Sequence, residues 1–462
     1  MTSGQLQRRL GLTSAVSITV GAVIGSGIFL KPLQVAQSLP SEGFIYLLWI
    51  GLGLVCLCGA FAYAELGAMF PEAGGQYAFL REAWGRLPAF LYGWTFFWII
   101  NAGTIAALAI AFADYFLPMF GIDMAAEKEH PHFKLLVASS MILLLALVNH
   151  FGVVLGALLQ NITTIAKIGS LGLLVLGGVF LAGGGGGGGG GEAKVFTPDA
   201  SAATTLTISG LVTAFLGIFW AYEGWYQLPF NAAELKDPQR SLPRGLILGM
   251  LILIVTYTAV NAMYLHKVPF MEMRSIPKGL DQRVPFLTVE RVFSTGIANY
   301  LTLFVAISVF GSANPNFLSS PRAFYAMGKD RLVPAFLTRI SPRWGTPVAA
   351  IWAQAACAVL IISVLQGFHD VTAFVVFAGF LFYGLTVAAV YRLRQLRPLQ
   401  KRPYRCTGYP FTPALFILVA VGFVVALLTD PAEQKNALWG VSILASGVPA
   451  YWLLNRRGTA HT

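Results

Sequence analysis

Two charged side chains stand alone in long apolar stretches of the sequence. Glu223 lies among aromatic residues in the stretch 206–233, and Lys167 lies near the middle of the stretch 154–181. A charge at the centre of a bilayer costs about 2.5–3.5 kcal/mol on insertion scales, so such a residue faces a cavity or a partner, or loses its charge. A lysine can also extend to an interface, but Lys167 lies some distance from either end of its stretch. Both residues therefore predict polar sites inside the protein.

Glycines interrupt the first apolar stretch, where Gly21, Gly25 and Gly27 fall within seven residues. Each glycine costs about 1 kcal/mol in a helix interior. The glycines either allow close packing of helices or mark a break in the helix. The stretch that holds Glu223 carries Gly224 beside the charge, five stretches further along the chain. Paired breaks of this kind point to a transporter built from inverted repeats.

Two broken helices predict the chemistry of a ligand. The N–H groups at the start of a half-helix attract a carboxylate, and the carbonyl groups at the end of a half-helix attract an ammonium group. An amino acid zwitterion carries both groups. The sequence therefore predicts a site for an amino acid between the two breaks.

The overall composition places these features in a membrane. Of the 462 residues, 56% are hydrophobic and only 11% are charged, and the mean hydropathy is +0.69. Soluble domains carry about 25% charged residues. The shortage of charge therefore indicates a membrane protein in contact with the lipid bilayer.

A helix needs about 20 apolar residues to cross the hydrocarbon core of a bilayer. By this criterion the sequence predicts an all-α membrane protein with twelve transmembrane helices in a single domain, residues 1–462. The predicted spans are residues 13–36, 43–70, 88–118, 133–151, 154–181, 206–233, 244–266, 297–321, 347–365, 371–391, 412–428 and 436–454.

An even number of spans places both termini on one side of the membrane, which we predict to be the cytoplasm. With this orientation 20 of the 31 Lys and Arg residues lie on the cytoplasmic side and 10, including Lys31, lie on the outer side. Cytoplasmic loops of membrane proteins carry an excess of Lys and Arg. The bias therefore supports a multi-pass protein of the plasma (inner) membrane. It also explains most of the net charge of +11 without a nucleic acid partner.

Residues typical of enzymes and metal sites are sparse. The six histidines form no HExxH motif or similar cluster, so we expect no enzyme activity, no metal and no cofactor. We interpret the four cysteines as small buried hydrophobic residues. They are Cys56, Cys58, Cys357 and Cys406.

Nine consecutive glycines, Gly183–Gly191, separate the fifth predicted span from the sixth. Glycine-rich chain is a flexible coil, so we interpret the run as a linker. A phosphate-binding loop is excluded because the required Gly-Lys-Ser/Thr does not follow.

Several further motifs occur in order between about residue 8 and residue 430. The first group is Gly25-Ser-Gly-Ile-Phe29, Tyr63-Ala-Glu-Leu-Gly67 and Pro71-Glu-Ala-Gly-Gly-Gln-Tyr77. Jointly with the motifs below, this group resembles the amino acid–polyamine–organocation superfamily. The segment from Tyr222-Glu-Gly-Trp225 through Glu234-Leu-Lys-Asp-Pro-Gln-Arg-Ser-Leu-Pro243 resembles the L-type amino acid transporter branch. The last group agrees with that branch and comprises Phe310-Gly-Ser-Ala-Asn314, Arg322, Lys329-Asp-Arg-Leu-Val-Pro334 and Thr346-Pro-Val348.

The resemblance implies a leucine-transporter-like fold. Ten core helices would form two inverted five-helix repeats, residues 13–181 and 206–391, with helices 1 and 6 broken. Two peripheral helices would follow in residues 412–454. The implied function is secondary transport of amino acids by alternating access, as an exchanger or uniporter of bacterial type. We expect neutral amino acids as substrates.

The resemblance also implies a substrate site at the two breaks. In such carriers the backbone of the first break holds the carboxylate and amino groups of the substrate, here at Val23, Gly25, Ser26 and Gly27. Trp220 matches an aromatic gate that closes over the substrate from outside. Ala221 and Glu223 match backbone positions that accept the ammonium group.

A further implied feature is a substitute for sodium. Lys167 matches a lysine that, in sodium-independent relatives, fills the place of a sodium ion between spans one and eight. Transport independent of sodium would follow. Ser308 or Ser312 is the expected partner of this lysine.

Two features depart from the family pattern. Relatives often carry a small or different polar residue at the position of Glu223, which leaves three roles open: binding the substrate amine, carrying a proton or favouring a cationic substrate. Mammalian L-type carriers are tethered to a glycoprotein by a cysteine between spans three and four, and residues 118–133 contain none. We therefore expect no disulfide-linked heavy chain.

A proton-coupled amino acid or polyamine symporter and a non-transporting membrane sensor are the alternative functions.

Overall fold

The computed structural model describes residues 8, 10–72, 74–120, 131–181, 205–365 and 367–459. The glycine run Gly183–Gly191, predicted to be a linker, lies outside the described residues. Within the described ranges the regular structure is helical, and the only β pairing there is an isolated bridge between Leu10 and Leu235.

Eighteen α-helices lie in these ranges. In chain order they are α1 (Leu12–Val23), α2 (Gly27–Ser38), α3 (Glu42–Met69), α4 (Gln76–Trp84), α5 (Arg86–Thr95), α6 (Ala102–Phe116), α7 (Pro131–His150), α8 (Val153–Leu181), α9 (Ile208–Ala221), α10 (Pro238–Lys267), α11 (Phe270–Ser275), α12 (Arg283–Val292), α13 (Thr295–Lys329), α14 (Ala335–Thr338), α15 (Val348–Val364), α16 (Phe368–Leu396), α17 (Phe411–Thr429) and α18 (Gln434–Thr459). A π-helical segment, Phe96–Asn101, joins α5 to α6. Short 3₁₀ segments follow α6 at Leu117–Phe120 and α9 at Trp225–Glu234.

Eight helices in the described part of the chain are long and apolar enough to cross a membrane. The bent pair of α1 and α2 raises this number to nine when the pair counts as one span. The chain is therefore a multi-pass membrane protein. The three other predicted spans coincide with α9 and its 3₁₀ continuation, with α13, and with the 17-residue α15. The total of twelve spans stays a prediction.

The first predicted break is present. Helix α1 ends at Val23, and α2 begins at Gly27 with its axis turned by 46°. Between the two helices Ile24 has an extended backbone, with φ −68° and ψ 97°. A Cβ atom on Gly27 would lie 2.3 Å from the Cα atom of Ala221. Only glycine therefore allows the observed approach of the first break to α9.

The second predicted break follows α9. This helix ends at Ala221, and the chain continues from Trp225 as a 3₁₀ helix. Between them Gly224 has φ +107°, a left-handed conformation that favours glycine. A Cβ atom on Gly224 would also lie 2.8 Å from the carbonyl oxygen of Ala22. The break beside Glu223 is thus confirmed, and glycine is required there on two grounds.

Helix packing brings the two breaks together in the core. Helix α1 packs against α10, α2 packs against α9, and α13 packs against α6 and α8. Buried aromatic rings fill the space behind the breaks. Trp49, Tyr222 and Tyr257 contact one another at centroid distances of 5.2 to 6.2 Å. Two polar interruptions that are about 200 residues apart in the sequence therefore share one site.

Ion pairs and charged hydrogen bonds join segments at one end of the bundle. We call the end near the first described residues the N-terminal end and the opposite one the distal end. At the N-terminal end the buried Glu65 carboxylate accepts hydrogen bonds from Arg394 at 2.6 and 3.1 Å and from the backbone N–H of Cys406 at 2.6 Å. Arg81 pairs with Asp330 at 3.2 Å at the same end. These pairs fasten the loops to the helices.

The surroundings of the four cysteines and of Lys31 can be compared with the predictions from the sequence. All four cysteines are buried, as predicted, and none is in a disulfide. Lys31, which the sequence assigns to the outer side, lies inside α2 with only 2% of its surface exposed. Its side of the membrane stays a prediction.

Candidate functional site

The two breaks enclose a small cavity. Its lining combines the backbone of both breaks with side chains of α6 and α13. The lining residues are Ala22, Val23, Gly25, Ser26, Gly27, Thr104, Leu108, Trp220, Glu223, Gly224, Gln227 and Ser312. The volume is about 20 Å³, which holds roughly one water molecule. Any larger ligand therefore requires the residues that line the cavity to move apart.

Most residues predicted for the site line this cavity. They are Val23, Gly25, Ser26, Gly27, Trp220, Glu223 and Ser312. Ala221 instead lies against Gly27 and forms the contact between the broken helices. Lys167 contacts the first break from behind.

Trp220 connects the lining of the cavity to the start of α16. Its indole Nε1 donates a hydrogen bond to the hydroxyl of Ser26 at 3.1 Å. Its ring meets the ring of Phe368 edge-on, with centroids 5.7 Å apart. The hydrogen bond joins α9 to the first break. Movement of this ring away from the cavity must therefore break that bond.

Tyr257, which sequence reasoning missed, connects the two breaks. Its hydroxyl lies 3.1 Å from the carbonyl oxygen of Val23 and 3.0 Å from that of Ala221. A phenol has one proton to donate, so the two carbonyls share it. Burial of Tyr257 in α10 fixes the hydroxyl between them. The only available signal was a tyrosine in an apolar helix, which does not reveal where its hydroxyl points.

Lys167 is fully inside the protein, with 1% of its surface exposed. Its ammonium group donates to the carbonyl oxygen of Gly21 at 3.1 Å and to the hydroxyl of Ser312 at 2.6 Å. Gly21 lies in the last turn of α1, where the helix dipole favours a positive charge. The lysine therefore links α8, the end of α1 and α13 at one point.

The structure distinguishes the two serines that the sequence offers as partners of Lys167. Ser312 accepts the hydrogen bond from the lysine, and its own hydroxyl lies 2.8 Å from the carbonyl oxygen of Ile24. The hydroxyl of Ser308 has no hydrogen-bond partner among the described residues, although its carbonyl oxygen lies 3.0 Å from the Ser312 hydroxyl. Ser312 is thus the side chain that connects the lysine to the first break.

Glu223 reaches the cavity but is bonded to other residues. It is 7% exposed, and one carboxylate oxygen accepts a hydrogen bond from the hydroxyl of Tyr383 at 2.6 Å. Tyr226 lies beside Tyr383 and interacts with the same carboxylate. The rings of the two tyrosines pack with centroids 4.6 Å apart. Two phenols therefore stabilise an acidic group that would otherwise be costly to bury.

Five lining residues were absent from the predicted site: Ala22 and Gly224, which belong to the two breaks, and Thr104, Leu108 and Gln227. Gln227 donates from its amide nitrogen to Asn316 at 3.1 Å, and its amide oxygen is buried with no partner among the described residues. The position of Gln227 two residues after Trp225 was a usable signal, because a buried amide in a broken helix needs a polar neighbour. Thr104 and Leu108 carry no such signal.

The helix ends give the cavity complementary polarity. The first N–H groups of α2 have no partner within the helix and carry partial positive charge, whereas the last carbonyls of α1 and α9 carry partial negative charge. A carboxylate fits the first set and an ammonium group fits the second. Within the described residues no group of three or more His, Cys, Asp or Glu side chains is placed to hold a metal ion.

A second, larger cavity of about 420 Å³ lies at the N-terminal end. Phe317 and Leu318 of α13 line it, together with Asn149 of α7. The amide of Asn149 donates to Asn314 at 2.9 Å. Since Asn316 contacts Gln227 of the central cavity, buried amides on one stretch of α13 connect the two cavities.

Comparison with known proteins gives a consistent result. The family model described as amino acid permease matches residues 10–451. The chain is 31% identical to the human b(0,+)-type amino acid transporter 1 and 31% identical to the human cystine/glutamate transporter, and each match covers 97% of the chain and 88% or 85% of the relative. It is 28% identical to the serine/threonine exchanger SteT of Bacillus subtilis (strain 168), over 98% of both proteins.

Proposed function

The chain belongs to the amino acid permease family, and from this premise we propose that it is a secondary transporter that exchanges amino acids across the plasma (inner) membrane. The observation that carries the proposal is the small cavity between two broken helices, where the backbone groups at the helix ends match both charges of an amino acid. A volume of about 20 Å³ is too small for an amino acid. Binding and release therefore require alternating opening, which is the behaviour of a carrier.

We propose a leucine-transporter-like arrangement of twelve helices for this carrier. Residues 13–181 and 206–391 would be inverted repeats, and residues 412–454 would form two peripheral helices. The arrangement is supported by the two breaks, which occur in the first span of each repeat. Both termini would lie in the cytoplasm, so that the N-terminal end of the bundle is the inner one. A tag at the N-terminus should then be inaccessible to antibody in intact cells.

The proposed substrate contacts are backbone groups at the first break and at the end of α9. The N–H groups near Gly25, Ser26 and Gly27 would bind the substrate carboxylate. The carbonyl oxygens of Val23 and Ala221 would bind its ammonium group. In this structure the hydroxyl of Tyr257 lies within hydrogen-bond distance of both oxygens. The substrate ammonium would therefore compete with a phenol for the same acceptors.

Sodium independence is proposed from Lys167. Its ammonium group bonds to a backbone carbonyl of the first break and to Ser312 of α13. These are oxygen ligands of the kind that a sodium ion would need, and the ammonium group would supply a positive charge in place of the ion. Exchange in the presence of sodium should therefore equal exchange in potassium.

The exchange proposal is tested by counterflow in proteoliposomes. Vesicles loaded with one unlabelled amino acid should accumulate a labelled one, and neutral amino acids should be the best substrates. The assay is run with and without sodium and with and without a pH gradient. Absence of uptake and exchange for all twenty standard amino acids and common polyamines would contradict the proposal. Saturable binding with no flux would indicate a sensor on the same fold.

A second candidate, a proton-coupled symporter, rests on one observation. Glu223 is a buried acid that lines the central cavity and bonds to Tyr383, so it is placed to exchange a proton when the cavity opens. Uptake into unloaded vesicles driven by a pH gradient would favour this function over exchange. Uptake that requires internal substrate would favour exchange.

We propose that the carrier acts without a covalently linked partner. The burial of Cys56, Cys58, Cys357 and Cys406 supports this, because a buried thiol is not available for a disulfide with another chain. Electrophoresis with and without reductant should give the same mobility.

A further inference from the structure

A chain of polar side chains crosses the distal end of the bundle, above Trp220. Lys31 donates to the amide oxygen of Gln34 at 3.0 Å, and the amide nitrogen of Gln34 lies 2.8 Å from Nδ1 of His369. Nε2 of His369 lies 2.7 Å from a carboxylate oxygen of Glu433. We call these four residues the outer relay. It joins α2 to the start of α16 and to the loop before α18.

In each hydrogen bond of the outer relay, the donor and the acceptor can be assigned. A lysine ammonium group only donates, so Gln34 must present its oxygen to Lys31. Its NH₂ group therefore faces His369, and Nδ1 must accept. The imidazole is then neutral, with its proton on Nε2 and directed at Glu433.

Protonation of His369 is incompatible with this arrangement. A protonated imidazole donates from both nitrogens, so its Nδ1–H would need the oxygen of Gln34. Turning the amide to provide that oxygen would direct its NH₂ group at Lys31, where two donors would meet. Gln34 can therefore bond to Lys31 or to protonated His369, but not to both.

The outer relay is in contact with the ring that closes the central cavity. The ammonium group of Lys31 lies 4.7 Å from the centroid of Phe368 and donates to the hydroxyl of Thr372 at 3.2 Å. Phe368 packs edge-on against Trp220 at 5.7 Å. Holding α2 against α16 thus also holds the ring of Trp220 over the cavity.

We propose that the outer relay is a proton-sensitive latch, in which protonation of His369 from the outer side releases α2 from α16 and favours opening of the cavity to that side. The proposal rests on the proposed function and on the orientation given above. The ligand of this second site is a proton from the external solution, which reaches an imidazole whose side chain is 40% exposed.

Charged groups face His369 from each neighbouring element. Glu433 attracts a protonated imidazole and Lys31 repels it, so both forces draw the ring away from α2. Asp281, in the loop before α12, interacts with Lys31 and His369. Burial raises the pKa of the Asp281 carboxyl, and the charge of Lys31, joined by that of His369 once it is protonated, opposes that rise. Asp370 of α16 accepts a hydrogen bond from Asn436 at 3.2 Å.

The test measures access to the cavity rather than transport. A cysteine in place of Ser26 (S26C) is labelled from outside with a membrane-impermeant thiol reagent at about pH 7.5 and about pH 5.5, the range in which histidine titrates. The labelling rate of S26C is divided by that of the double variant S26C/H369Q at the same pH, which cancels the reagent's own dependence on pH. We expect this ratio to rise roughly three- to tenfold at the lower pH, the effect of losing one or two hydrogen bonds.

Two further variants make the outcome decisive. In S26C/Q34M the link is absent at any pH, so labelling should be fast at both values. In S26C/H150Q a histidine at the N-terminal end is replaced, and the pH response of S26C should persist. A ratio that does not change with pH, or slow labelling of the Q34M variant at both values, would overturn the latch. Failure of counterflow would instead contradict the transporter while leaving the labelling result intact.

Discussion

Among the described residues, two lysines are almost completely buried, and they are held in different ways. Lys167 is 1% exposed and bonds to a backbone carbonyl at the end of α1 and to Ser312. Lys31 is 2% exposed and bonds to the side chains of Gln34 and Thr372. Both ammonium groups are satisfied, but only Lys167 is bonded to the backbone of a broken helix.

The difference predicts different roles. A side-chain amide can rotate and exchange one partner for another, whereas a backbone carbonyl moves only with its helix. Lys167 therefore fixes the position of the first break in every state in which it keeps its bonds. Lys31 belongs to an arrangement that can change without moving a helix, as a latch requires.

The largest effect is expected for Lys167→Ala. The change removes two hydrogen bonds from an ionised donor, each worth about 1.5–3 kcal/mol. The exchange rate should fall by roughly 100-fold while the protein still folds, as monitored by its melting temperature. Lys401→Ala, at an exposed position, is the matched control and should retain full exchange. Unchanged kinetics for Lys167→Ala would remove the lysine from the mechanism.

Adding sodium to the exchange assay gives a more specific test of the role of Lys167. If the ammonium group takes the place of a cation, the space left in Lys167→Ala should admit one. Added sodium should then restore part of the exchange in the variant and have no effect on the natural protein. Equal rates with sodium and potassium in both proteins would leave Lys167 a structural link only.

A smaller effect is expected for Glu223→Gln, which tests whether an acid contributes to the site that Lys167 organises. Glutamine keeps an acceptor for Tyr383 but loses the negative charge. The ratio of exchange rates for cationic and neutral amino acids should fall by roughly tenfold, the difference between a charged and a neutral hydrogen bond.

The pH profile distinguishes the remaining role of Glu223. If the carboxylate sets substrate preference, the dependence of exchange on pH should be the same in Glu223→Gln and in the natural protein. A profile that becomes flat in this variant would make Glu223 the proton carrier. That result would also assign the pH dependence of exchange to the central site rather than to His369.

The two breaks can be predicted from the sequence because they depend on local composition. Glycines in an apolar stretch weaken a helix, and Glu223 requires a polar environment wherever it is buried. The pairing of Lys167 with the first break comes from the family resemblance. None of these steps requires knowledge of how distant helices pack.

Other parts of the site depend on packing between distant segments and leave no mark in the sequence. The hydroxyl of Tyr257 reaches both breaks only because α10 packs against α1. The outer relay joins residues more than 300 positions apart. Helices α11 and α12 were missed because each has ten residues or fewer, too short for a criterion of about 20 apolar residues.

Trp220→Phe is expected to have a moderate effect. The ring and its contact with Phe368 are kept, but the hydrogen bond to Ser26 is lost. A neutral hydrogen bond contributes about 0.5–1.5 kcal/mol, so the exchange rate should change by a few-fold. Ser26→Ala should have the same effect on exchange, and the double variant should add little, as a double-mutant cycle would show.

The smallest effect is expected for Lys31→Ala, the direct counterpart of Lys167→Ala. Replacement of a buried ion often costs little when its former partners can find others, and Gln34 can bond to protonated or neutral His369 once the lysine is gone. Exchange at about pH 7.5 should fall by no more than roughly threefold, and its response to external pH should weaken. A loss as large as that of Lys167→Ala would show that both lysines fix the first break, and the distinction between a fixed and a switchable ammonium group would fail.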